Sequence, residues 1–337
     1  MISLVSTVLN DCDGTRGFFA AMANQKKKPD EIVIVDGGSN DGTWESLLAE
    51  QENPTTGVPL VARQEKGCNV ARGRGLAIEA SMGDTIVSTD IGCEWDPEWF
   101  EEQVAPLQAE EIDVVIGSWA VRLEDAKSDW ARVEFARRYP FRLEAAPDSL
   151  GINRAIAYRR HVWQKVGGYP QDLSLAADDV VFDMIIRQPR WGFQFAAASV
   201  VRCYWERHEH LAQFAKEERR NFFGAAEAGI WMKHFILVSG RLIVEFVAVI
   251  GGMIFLLLPD WRWPGLALLS IAGVSLIGRI RTMTPAIRRL RELGVARPLW
   301  RLLIFEYSTK IRGMQGYWRG IWNGRCQCRK TRERLKA

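Results

Sequence analysis

Ile32-Val33-Ile34-Val35 is an unbroken run of β-branched residues, and the chain leaves it at once through Asp36-Gly37-Gly38-Ser39-Asn40-Asp41-Gly42-Thr43. A continuous apolar run of this length is a strand buried on both faces, as in a sheet covered by helices on each side. An acidic, glycine-rich exit from such a strand brings a carboxylate and close-approaching backbone to the carboxyl edge of an open α/β sheet, where ligands bind. Taken alone the segment also fits an ordinary βα turn, so its meaning depends on the rest of the chain.

The rest of the chain repeats the theme. Short β-rich runs at 2–9, 32–35, 58–61, 85–89, 114–118, 155–158 and 193–200 alternate with helical stretches that include 69–80, 97–107 and 179–187. This alternation predicts an α/β fold with a mostly parallel central sheet. The apolar start, Met1 to Leu9, carries no charged leader and reads as a first strand rather than a signal peptide. Six scattered cysteines form no disulfide framework, and Cys326-Gln327-Cys328 has no second pair to complete a zinc site, so all six are expected as thiols.

The texture changes after about residue 230. Residues 235–258 are almost wholly apolar, broken by Arg241 and Glu245, which share a helix face at a spacing of four and can pair. Residues 264–278 form a second, shorter apolar stretch, and Pro259-Asp260-Trp261-Arg262-Trp263-Pro264 between them suits a membrane–water interface. A spanning helix needs about 20 apolar residues, so the first segment qualifies and the second is short. The competing reading is a soluble helical subdomain with an internal ion pair. From Arg279 onward the chain has 16 Lys/Arg against three Glu, although the net charge of the whole is only +3. A basic run directly after two apolar segments favours a hairpin with both ends in the cytoplasm and a tail facing anionic lipid. No nucleic-acid-binding motif accompanies it, so nucleic acid is not expected as a partner. Residues 299–311 alternate apolar and basic side chains and suit the bilayer surface.

Four segments, in order, carry a family resemblance. They are Ser6-Thr7-Val8-Leu9-Asn10 with the Asp36–Thr43 turn, then Gly67-Cys68-Asn69-Val70-Ala71-Arg72-Gly73-Arg74-Gly75, then Ser88-Thr89-Asp90-Ile91-Gly92-Cys93, and last Leu175-Ala176-Ala177-Asp178-Asp179-Val180-Val181-Phe182, preceded by Gly167-Gly168-Tyr169-Pro170. This series resembles the family 2 glycosyltransferases, inverting enzymes with the GT-A fold. The resemblance covers about residues 1–230, so the expected organisation is a transferase domain over 1–230, a transmembrane helical hairpin over 231–280 and a basic interfacial tail over 281–337.

The resemblance implies a nucleotide-sugar donor, expected as a UDP-sugar, and assigns the residues that meet it. Asp36 would hold base or ribose, with Thr7, Asn10, Gly38 and Asp41 in the loops around it. Lys66 and Arg72 would neutralise diphosphate, with Arg219 and Arg220 as further cations on the leaving group. Asp90 stands where the family has an Asp-x-Asp element and would ligate Mg²⁺ or Mn²⁺, hard cations that prefer oxygen. Gly92 occupies the place of the second aspartate, which leaves Glu94 or Asp96, or the phosphates themselves, to complete the coordination. Gly37 is a similar departure. Asp178 and Asp179 match the family's acidic pair: Asp179 would be the general base and Asp178 would orient it. Two aspartates at the start of a helix also fit simple N-capping. The expected acceptor is a lipid-linked or cell-envelope glycan, reached from the cytoplasmic side of the cell's inner membrane. The alternatives are transfer to polyprenyl phosphate itself and, given Gly37 and Gly92, a non-catalytic nucleotide-sugar-binding scaffold.

Overall fold

The computed structural model describes residues 1–138, 146–174, 176–205 and 208–336. Leu175, at the head of the acidic-pair segment, and Glu206 and Arg207 lie outside them. The chain divides into two compact units: Met1–Asp125 with Phe141–Arg207 and Trp322–Ala337, and Ala126–Pro140 with His208–Ile321.

The first unit is built on an eight-stranded sheet. Its strands are β1 (Ile2–Val8), β2 (Glu31–Asp36), β3 (Leu60–Gln64), β4 (Thr85–Ser88), β5 (Cys93–Trp95), β6 (Val114–Ala120), β7 (Ile156–Arg159) and β8 (Phe195–Trp205). Their spatial order is β3-β2-β1-β4-β7-β6-β8-β5. Four of the seven pairings are parallel, and β7 and β5 run antiparallel to their neighbours. The seven expected strands are all present within a few residues of their predicted ends. Three-residue β5 is the addition, since its pattern is too short to be read without its partner β8.

Helices α1 (Cys12–Ala23), α2 (Thr43–Glu52), α3 (Val70–Ala80) and α4 (Trp99–Val104) come first in the chain. Next are α5 (Asp129–Arg138), α6 (Arg160–Val166) and α7 (Asp178–Ile186). The sheet core, with Leu4, Ile32, Ile34 and Val87, packs against Phe18, Met22, Trp99 and Phe100 of the helices. The buried run Ile32–Val35 is fully covered, as a two-sided parallel strand must be. Because β1, β2 and β4 are parallel neighbours, their carboxyl ends and the loops after Val8, Asp36 and Ser88 line one sheet edge. Strand order reverses at β1, the place where open α/β sheets leave a crevice.

The second unit is helical: α5 with α8 (Leu211–Ala228), α9 (Met232–Leu256), α10 (Arg262–Glu292) and most of α11 (Pro298–Gln327). The last helix, α12 (Arg329–Lys336), belongs to the first unit. α9 and α10 are both long and apolar enough to cross a membrane. The second is not short, because the helix runs on for 31 residues through the basic segment instead of stopping near residue 278. Neither is a covered core helix: Leu237 is 73% and Val274 71% exposed. Arg241 and Glu245 do pair, Nε to Oε1 at 3.1 Å. Gly252 and Gly265 let the two backbones meet, since a Cβ on either would lie within 3.0 Å of the other helix.

Gly313, Gly316 and Gly320 form a small-residue face of α11 against α8. A Cβ at Gly316 would overlap the Arg219 carbonyl, and one at Gly320 the Phe223 carbonyl. Backbone cannot yield as a side-chain tip can, so Gly316→Ala is expected to destabilise this unit by about 1–3 kcal/mol, read as a lowered melting temperature. Unchanged melting would refute the close packing.

Candidate active site

Three elements bring charge to the sheet edge. The loop after β4 carries Asp90, the start of α3 carries Arg72 and Arg74, and the start of α7 carries Asp178 and Asp179. Arg74, not Arg72, is the residue that joins them. It is buried, and its guanidinium donates from one terminal nitrogen to Asp178 Oδ2 and from the other to Asp90 Oδ1. Burial alone would lower its proton affinity, but Asp178 and Asp90 outweigh that and hold it higher than usual. Its Nε has no partner among the described residues. Asn153 Nδ2 approaches Asp178 Oδ2 at 3.5 Å, and Tyr169 OH donates to Asn153 Oδ1 at 2.7 Å. Tyr158 and Tyr169 are linked through their hydroxyls at 3.1 Å.

The two aspartates differ in setting. Asp178 is buried, and burial pushes its carboxyl up to about 6 despite Arg74, with Asp179 and Asp90 adding to the rise. Asp179 is half-buried, and its Oδ1 accepts from the neighbouring Val180 N–H at 2.8 Å, its one hydrogen bond among the described residues. Neither caps α7 from the N-cap position. That position is Ala177, in the left-handed region at φ +71, with no side-chain cap. A non-glycine residue there costs about 1–2 kcal/mol, so the local turn holds the acidic pair at the expense of backbone strain.

The folded protein binds the Asp178 proton more tightly than the unfolded chain, whose carboxyl titrates near 3.8. Its contribution to stability is therefore greatest below about pH 4 and is lost as pH rises through about 6. Asp178→Asn is expected to lose this slope, so the melting-temperature difference between variant and wild type should shift in the variant's favour from pH 4.5 to 7. A pH-independent difference would show that Asp178 is not the titrating group.

The β1–α1 and β2–α2 loops are fastened together. Asn10, at φ +53, accepts from Asn40 N–H at 2.9 Å and donates its own N–H to Ser39 Oγ at 2.8 Å. Asp41 accepts from Thr43 N–H at 3.1 Å and Cys12 N–H at 3.2 Å, and the Thr43 hydroxyl bond holds its carboxyl below the usual range. Asp36 is fully buried, with its oxygens accepting from Gly38 and Ser39 and, at 2.8 Å, from Gln64 Nε2. In this arrangement Asp36 and Asp41 shape the loop from within. Gly38 has φ +99, and a Cβ there would press on Lys66 at 3.1 Å, so glycine lets the two loops touch. Lys66 is exposed and Arg72 half-buried, both without an ion pair among the described residues. Thr7 Oγ1 donates to Val35 O at 2.9 Å and lies where a side chain on Gly73 would collide. Arg219 and Arg220 belong to α8 in the second unit.

Gly92 has φ +83, a conformation an aspartate adopts only with strain. Of the two substitutes, Glu94 is ion-paired with Arg122, and Asp96 accepts from Tyr204 OH at 3.3 Å. Among the described residues no three His, Cys, Asp or Glu side chains form a metal cage. Asp90 gives Oδ1 to Arg74, and its Oδ2 is ion-paired at 3.9 Å with Arg154 Nε, so a metal ion would share that oxygen with Arg154. One carboxylate oxygen fits a divalent ion that draws its other ligands from phosphates and water, a pattern magnesium accepts.

Asn153 and Arg154 lie outside the motif segments, and Arg74 and Tyr169 lie within them without an expected role. Of the glycines flanking Arg74, Gly73 stands too close to the Thr7 side chain to carry one of its own, while Gly75 faces the movable end of Gln171.

The mixed, mostly parallel sheet is that of the GT-A fold. Residues 3–167, a little under half of the chain, match the model of glycosyl transferase family 2, and the chain is a glycosyltransferase. It is 22% identical over 233 residues to glycosyltransferase AglE of Haloferax volcanii, covering 68% of this chain and 74% of the relative. It shares its fold with the mannosyltransferase PcManGT of Pyrobaculum calidifontis, solved with GDP-Man and Mn²⁺. That match has a TM-score of 0.55 and 18% identity, and covers 96% of this chain and 87% of the other.

Proposed function

We propose that this chain transfers a glycosyl group, with inversion, from a nucleotide-diphosphate sugar to a lipid-linked or cell-envelope glycan at the cytoplasmic face of the inner membrane. The observation that carries this is the Arg74 bridge, which ties the strand-end carboxylate Asp90 to the helix-start carboxylate Asp178. One guanidinium thus sets the distance between the donor side and the acceptor side of the site.

Asp179, the more exposed of the pair, takes the proton of the acceptor hydroxyl as that oxygen attacks the anomeric carbon. The new C–O bond forms on the face opposite the diphosphate, the old anomeric C–O bond breaks, and the nucleoside diphosphate leaves with the electron pair. Asp178, held by Arg74 and Asn153, is the neighbouring carboxylate that positions Asp179. Lys66 and Arg72 are the cations left to meet the diphosphate. A divalent ion held by Asp90 would add charge neutralisation on the same oxygens. The membrane assignment rests on the exposed apolar faces of α9 and α10 and on the basic chain after them.

The donor is tested by calorimetric titration of UDP, GDP and dTDP into the detergent-purified chain, each with Mn²⁺ and with EDTA. Selective binding of one nucleotide is expected, stronger with the ion. Binding of none would overturn the donor reading. Polyprenyl phosphate offered as sole acceptor separates direct lipid glycosylation from transfer to a lipid-linked glycan.

A further inference from the structure

The hairpin has a charged girdle at one level. Glu245 of α9 accepts from Arg279 of α10 at 2.7 and 2.8 Å, from Arg241 at 3.1 Å, from Ser275 Oγ at 2.5 Å and from Tyr307 OH of α11 at 3.1 Å. From Glu245 up to Pro259, and from Pro264 down to Arg279, each leg is about 21–23 Å at the α-helical rise. Both legs are free of charge between girdle and tip, and the tip carries Trp261 and Trp263, 51% and 81% exposed. Ion pairs belong at the edge of a hydrocarbon layer rather than inside it, and the girdle marks where the charge-free part of both legs ends.

Directly beyond that level, α10 continues out of the layer as a cationic surface. Arg281, Thr284, Pro285, Arg288, Arg289 and Glu292 line a groove of about 570 Å³. Arg281 and Arg288 are exposed, and Arg289 lies over the Phe135 ring at 5.0 Å. None of the three forms an ion pair among the described residues, and Glu292 is the one acid in the lining. Arg281 is about 3 Å along the helix from Arg279, inside the roughly 5–7 Å headgroup zone beside an apolar layer, and Arg288, about 13 Å along, reaches that zone from its aqueous side. Arginine forks match phosphate oxygens in charge and in geometry.

We propose that this groove seats the phosphate of an anionic membrane lipid, and so holds lipid phosphate at the cytoplasmic edge of the hairpin. The inference rests on the membrane reading given under the proposed function. It names the phosphate as the group recognised, whether it belongs to a bilayer phospholipid or to the carrier of a lipid-linked acceptor.

The test uses the full chain in detergent, with native mass spectrometry as the readout. Phosphatidylglycerol, polyprenyl phosphate, phosphatidylcholine and inorganic phosphate are titrated in turn into wild type and into the Arg281→Gln/Arg288→Gln double variant. The anionic lipids should bind in preference to phosphatidylcholine. The double variant should bind them about thirtyfold more weakly, about fivefold for each charge removed near the surface. The Arg281→Lys/Arg288→Lys variant should bind more tightly than the Gln variant and more weakly than wild type, which separates loss of charge from loss of fold. Preference for polyprenyl phosphate over phosphatidylglycerol identifies the acceptor's carrier, and equal binding identifies the bilayer; both support the groove. Equal affinity in wild type and Gln variant, or inorganic phosphate binding as well as the lipids, overturns it. Nucleotide binding by the same samples reports the donor site separately, so failure of the groove and failure of the transferase reading are distinguishable.

Discussion

Asp179→Asn is expected to lower the transfer rate by about 10²–10⁴-fold, the usual contribution of a positioned general base, while nucleotide affinity stays unchanged. The amide keeps the size and the acceptor oxygen facing Val180 N–H, 2.8 Å from the carboxylate in the wild type, so α7 should start as before. The variant loses the ability to take a proton from the acceptor hydroxyl. Initial-rate measurement of glycosyl transfer, paired with calorimetric titration of the nucleotide, separates the two. Transfer at the wild-type rate would move the base elsewhere, and loss of nucleotide affinity would place Asp179 on the donor side.

Arg74→Met should be the most damaging single change to stability in the first unit. Methionine fills much of the volume but leaves Asp178, which is buried, and the partly buried Asp90 without their shared cation. Breaking a buried pair by removing one partner costs about 3–5 kcal/mol, a large part of the roughly 5–15 kcal/mol typical of a domain. The cost should shrink in acid, because Asp178, already titrating near 6, can take up a proton and relieve the uncompensated charge. Urea denaturation at pH 5 and at pH 8 checks both statements. A variant as stable as wild type at pH 8 would mean the bridge is not what holds the two carboxylates together.

These two residues show how differently the site is legible in the sequence. Asp179 is singled out by its place in an ordered series of motifs. Arg74 lies two positions from Arg72, the arginine that the motif series singles out, because nothing local distinguishes an arginine that turns inward from one that faces solvent. The capping alternative for Asp178 and Asp179 is equally open in the sequence. The backbone decides it by placing Ala177, not an aspartate, at the N-cap. The same holds for Asp36: an acid after a buried strand reads as a ligand-facing acceptor, whereas the fold directs its oxygens at Gly38, Ser39 and Gln64.

The features that the sequence by itself determined are therefore periodic or local. Two-sided apolar runs specified the buried strands, alternation with helices specified a mostly parallel sheet, and long apolar stretches specified α9 and the upper part of α10. Each depends on the burial of side chains at regular spacing, which composition within a window records. Only the tertiary structure decided the partnerships between distant positions. Arg74 meets Asp178 across 104 residues of chain and Glu245 meets Tyr307 across 62. Three-residue β5 exists because β8 lies beside it. Such contacts arise when packing removes water from charged and polar groups and obliges each to find a partner, and the partner can lie anywhere the fold brings near.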